Sequence, residues 1–74
     1  MNLDQAQKSL GLAIRKQRVA LGVSQEAFAA SISMHRVYYA AIERGLKNMS
    51  LKTLLRIAEG LGVSPSDLMR QATL

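Results

Sequence analysis

Apolar residues recur along this chain at spacings of three and four rather than in alternation. Ala and Leu outnumber the β-branched residues, so every segment predicts helix and none predicts strand. Four breaks punctuate the pattern: Gly22, the stretch around Ser33, the segment from Gly45 to Ser50, and Gly62 followed by Ser64 and Pro65. A first helix carries Leu10, Ile14 and Leu21 on one stripe and is expected to end where Gly22 can take the left-handed conformation. Ser24 is placed to cap a short second helix with Phe28, Ala29 and Ile32 facing inward, and Glu26 lies in its first turn, where the helix dipole favours an acid.

A third helix is expected from about His35 to Arg44, with Gly45 as its stop. Ser50 then precedes Leu51, Leu54, Leu55, Ala58 and Leu61, a cap followed by an amphipathic stripe that Gly62 closes. Ser64, Pro65 and Asp67 combine a capping hydroxyl, a proline at the first helical position and an acid that can bond back, so a last short helix starts there. The expected fold is all-α: five helices in one domain over residues 1–74, without repeat, low-complexity tract or linker.

Length and charge narrow the class. With 74 residues the core must be small, and domains of this size hold only about 3 to 5 kcal/mol unless they are stapled or self-associate. The chain has no cysteine and one histidine, His35, so neither a disulfide framework nor a zinc site is available as a staple. Pairing with a second copy is the default. The apolar runs are too short to span a bilayer and the N-terminus lacks the pattern of an export signal, so a cytoplasmic location is expected, with no membrane partner. Capped, Ala-rich, punctuated helices do not suit a membrane-surface binder either.

Ten Lys and Arg against five Asp and Glu give a net charge of +5, which points to an anionic partner without specifying it. Acid–base or nucleophilic chemistry needs clustered titratable groups, and five scattered acids with one histidine do not supply them. The chain is not expected to be an enzyme or to hold a metal or cofactor.

The second and third helices are separated by only about three residues, Ser33 among them, and so short a connection forces a sharp angle that leaves one helix projecting. The major groove of DNA admits such a helix. At this point GVSQEAFA, the IERG ending of the third helix, and SLKTLLRIAEGLGVSPSDL together resemble the phage repressor and Cro-like (XRE-type) helix-turn-helix regulators nearly end to end. HRVYYAAIERGLKNMSLKTL is similar to the controller proteins of restriction-modification systems, a string shared with antitoxins and phage or plasmid repressors.

The resemblance implies a lambda-repressor-like domain that binds a pseudo-palindromic double-stranded DNA operator as a homodimer, with RNA polymerase a further partner where it activates. An antitoxin or anti-repressor that acts through a protein partner stays open beside it. The resemblance puts base readout on His35, Arg36, Val37, Tyr38 and Ala41 at the start of the third helix, with Ala40 alongside. Backbone contacts fall to Ser24, Gln25, Arg44, Lys47, Asn48 and Lys52, with Arg15 and Lys16 extending that surface. Arg36 can give guanine two parallel hydrogen bonds, Val37 can only meet a thymine methyl or pack on its own helix, and Gln25 sits at a helix N-terminus suited to phosphate.

Arg18 and Glu43 are implied to form a partly buried structural ion pair, and Tyr39 to enter the core, where its hydroxyl must find a partner or reach the surface. Ser33 occupies a turn position usually held by glycine. Dimerisation is expected through the loop before the last helix and that helix, by Val63, Leu68 and Met69, which would set two reading helices about one DNA turn, roughly 34 Å, apart.

Overall fold

Side-chain caps start all five helices of the computed structural model, which describes residues 1–74. Asn2 caps α1 (Leu3–Ala20), Ser24 caps α2 (Gln25–Ser31), His35 caps α3 (Arg36–Glu43), Ser50 caps α4 (Leu51–Leu61), and Ser64 caps α5 (Pro65–Gln71). Each satisfies a backbone N–H that the first helical turn leaves without a partner. At Asn2 and Ser64 the third residue on, Gln5 or Asp67, bonds back to the cap.

Four helices also close alike. After α2 the N–H of Met34 donates to the Ala29 carbonyl at 2.8 Å and that of Ser33 to Ala30 at 3.1 Å, and the same double closure follows α3, α4 and α5. The residue at the closure must take positive φ. Gly45 and Gly62 do so without strain, whereas Ser33 (φ 56°) and Thr73 (φ 58°) do so as L-residues.

The core joins Leu10, Ala13 and Ile14 of α1, Phe28 and Ala29 of α2, Tyr39 and Ile42 of α3, Ile57, Ala58 and Leu61 of α4, and Leu68 of α5. The rings of Phe28 and Tyr39 meet at 5.2 Å and 50° between α2 and α3. Gly11 lets α1 pass directly under the end of α3: a Cβ there would stand 2.6 Å from the Glu43 carbonyl oxygen. No helix is long and apolar enough to cross a membrane.

Three sequence expectations shift. Leu21 lies past the end of α1 and is exposed, so it is not part of the inward stripe. On α4 the buried face is Ile57, Ala58 and Leu61, leaving Leu51 69 % and Leu55 47 % exposed. Leu68, expected at a dimer contact, is fully enclosed by its own chain; a side chain already surrounded by the monomer core has no surface to offer a second copy.

Candidate nucleic-acid interface

Both short helices of the α2–α3 pair are anchored from behind by one carboxylate. Glu43, in the last turn of α3, accepts from Arg18 Nε at 2.7 Å and Arg18 Nη2 at 3.1 Å, from Gln25 Nε2 at 2.9 Å, and from the Tyr39 hydroxyl. Arg18 also donates from Nη1 to the Val23 carbonyl at 2.7 Å, which ties the loop before α2 to the same cluster. Helices α1, α2 and α3 thus share one polar knot, and no buried side-chain polar atom is left without a partner.

The charges respond to one another. The hydrogen bond to Glu43 raises the Arg18 pKa further above its ordinary value. Burial pushes the Tyr39 hydroxyl well above the ordinary phenol range, and its bond to Glu43 adds to this. Burial alone would raise the Glu43 carboxyl, but the hydrogen bonds from Arg18, Gln25 and Tyr39 outweigh it and hold the group below the ordinary carboxylate value. The implied ion pair of Arg18 and Glu43 is present and buried.

The opposite face of α3 is open. His35, Arg36 and Val37 are exposed at its start, Val37 by 63 %, while Tyr38 is half-buried against the edge of the core. Arg36 makes no intramolecular ion pair, so its guanidinium is free for an outside partner. Ala41 departs from the expected readout set: it lies one turn beyond Val37 on the same side of α3 but is only 6 % exposed, so it has little surface to offer a base. Ala40 is half-buried.

At the start of α2 the Ser24 hydroxyl accepts from the N–H of Ala27 at 3.1 Å, and the N–H groups of Gln25 and Glu26 have no intramolecular acceptor. The Gln25 side chain is turned inward to Glu43, so only its second amide hydrogen is available to a phosphate. Arg44, Lys47, Asn48 and Lys52 are exposed along the end of α3, the following loop and the first turn of α4. Arg15 and Lys16 are exposed on α1. Val63 is half-buried, and Met69 lines a separate apolar groove with Leu3, Met49 and Leu74.

Sequence reasoning missed two members of the knot and one cap. Tyr39 and Glu43 stand four apart on one helix, a spacing that brings their side chains together and could have identified the tyrosine's partner. The inward turn of Gln25 has no local signal. His35 caps α3 with Nδ1 rather than forming part of the helix. The exposed pair Leu51 and Leu55 lines a shallow groove on α4 rimmed by Lys52, Arg56 and Glu59.

Known proteins share this arrangement. A helix-turn-helix family model matches residues 14–68. Control protein C.MunI of a Mycoplasma species is 47 % identical over 55 residues, spanning 74 % of this chain and 72 % of that protein. The solved structure of the restriction-modification controller protein C.AhdI from Aeromonas hydrophila is 36 % identical with a TM-score of 0.79, covering 82 % of this chain and 92 % of its own. The clp gene regulator ClgR from C. glutamicum superposes with a TM-score of 0.89 at 29 % identity, over 92 % of this chain and 87 % of that structure.

Proposed function

The chain belongs to the helix-turn-helix family, and from that premise we propose that it is a transcriptional regulator that binds a pseudo-palindromic operator as a homodimer and controls a restriction-modification operon. The observation that carries this reading is the two-sidedness of α3: Tyr39, Ile42 and Glu43 fix it from behind, while His35, Arg36 and Val37 stand free at its leading end. A helix held rigidly on one face and open at its N-terminal turn suits entry into the major groove, where base edges are distinguished. Arg36 supplies the planar fork that matches guanine.

Arg44, Lys47, Asn48 and Lys52, with the first turn of α2, supply backbone contacts that orient the domain without specifying sequence. The relationship to control and controller proteins supports the assignment of the operon. Pairing is best served by α4, where Leu51 and Leu55 expose apolar surface one turn apart and Arg56 and Glu59 lie on the rim, opposite charges that a twofold axis can bring together.

Footprinting on the region upstream of its own gene tests the proposal. Protection of two half-sites about one helical turn apart is expected; protection independent of sequence would remove the operator from the reading.

A further inference from the structure

We infer that His35 presents one outward hydrogen-bond donor, its Nε2–H, and so selects a base edge that accepts a hydrogen bond; this rests on the DNA-binding reading above. The Nδ1 atom of His35 accepts from the N–H of Val37 at 3.2 Å and so caps α3. A nitrogen that accepts carries no proton, so the neutral ring holds its proton on Nε2. That nitrogen is engaged by nothing else in the molecule, and the residue is exposed. The cap keeps the ring against the leading end of α3, beside Arg36 and Val37, at the end of the helix that meets base edges in this class of docking.

The two nitrogens therefore have separate tasks, and the second has a fixed polarity. In the major groove, purine N7, guanine O6 and thymine O4 accept, whereas adenine N6 and cytosine N4 donate. A ring locked as a donor can bond the first group and is repelled by the second. A phosphate oxygen offers the same accepting chemistry, so the experiment must separate base from backbone.

Long-range proton–nitrogen correlation spectra of the free protein, at a pH where the ring is neutral, read the tautomer directly. An unprotonated Nδ1 and a protonated Nε2 are expected, and the reverse overturns the proposal without touching the DNA reading. Wild type and His35→Ser are then compared on sequences selected from a random duplex pool by the wild-type protein. Serine keeps the cap but cannot reach the groove. Unchanged melting is expected, with specific affinity about tenfold lower and base preference lost at one pair where wild type favours an accepting edge. Equal losses on all four bases at every position would assign His35 to a phosphate and overturn the base reading. A pool that returns no preferred sequence removes the DNA reading and the recognition role with it, while the nitrogen spectra still decide the tautomer.

Discussion

Arg18 grips Glu43 through two hydrogen bonds, at 2.7 and 3.1 Å, across 25 residues of chain, and so fastens α1 to the end of α3. Removing one partner of a buried pair costs far more than the pair contributes, because the other charge is left without solvent or counter-ion. Arg18→Ala is therefore expected to cost about 3 to 5 kcal/mol, a large part of the stability of so small a domain. Tyr39→Phe leaves Glu43 three of its donors and is expected to cost only about 1 kcal/mol. Urea melts of the two variants measure the contrast; equal, small losses would show that the cluster is open to water.

Stability should fall at both ends of the pH scale. Glu43 is held below its ordinary value of 4.5, so its contribution is complete above that pH and is lost as pH drops through the lowered folded value. Tyr39 is raised from 10.0, so its contribution is complete below that pH and is lost as pH climbs toward the folded value. Asp67 is also lowered, through bonds with Ser64 and Arg70, but is exposed. Urea midpoints from pH 3 to 7 should keep their acid decline in Asp67→Asn; a decline that vanished with Asp67 would remove Glu43 as its source.

Arg36→Ala should leave melting nearly unchanged, since the side chain is exposed and unpaired. Specific affinity should drop about tenfold or more, with preference lost at one guanine in each half-site. Arg36→Lys restores the charge but not the fork, and should recover non-specific binding more than selectivity. Titrations on the operator and a guanine-substituted operator at one salt concentration decide; equal losses on both would make Arg36 a phosphate contact.

Log affinity should fall with log salt by about 0.9 per cationic phosphate contact. Lys47→Ala should lower that slope by about one contact and weaken all sequences alike. A slope unchanged within error would take Lys47 off the interface.

Leu51→Ser with Leu55→Ser should shift sedimentation from dimer to monomer and leave the helical melt largely intact, because neither side chain belongs to the core. The expected loss in operator binding follows from halving the contacts per particle. A dimer that persists at low micromolar concentration would move the interface away from α4.

What the sequence revealed, and what it hid, divides by the range of the interaction. Ser24, Ser50 and the Ser64–Asp67 cap act within one turn, and each marks its helix start correctly. The α4 stripe is ambiguous in sequence: Leu54, Ala58 and Leu61 fit a face flanked by Leu51 and Leu55 as well as one flanked by Ile57, and only packing against α1 and α5 selects the latter. Leu68 and Met69 point apart on a seven-residue helix too short for periodicity to rank them. The inward turn of Gln25 depends on where α3 delivers Glu43, which no local pattern contains.

The separation of the two faces of α3 has a consequence for descent. On the proposed reading, replacing Arg36 or Val37 would alter what the domain reads without disturbing Tyr39, Ile42 or Glu43, which hold the helix in place. Operator preference would then drift between lineages by single substitutions at these two positions with stability unchanged, so a duplicated copy could acquire its own promoter without first passing through an unfolded intermediate form.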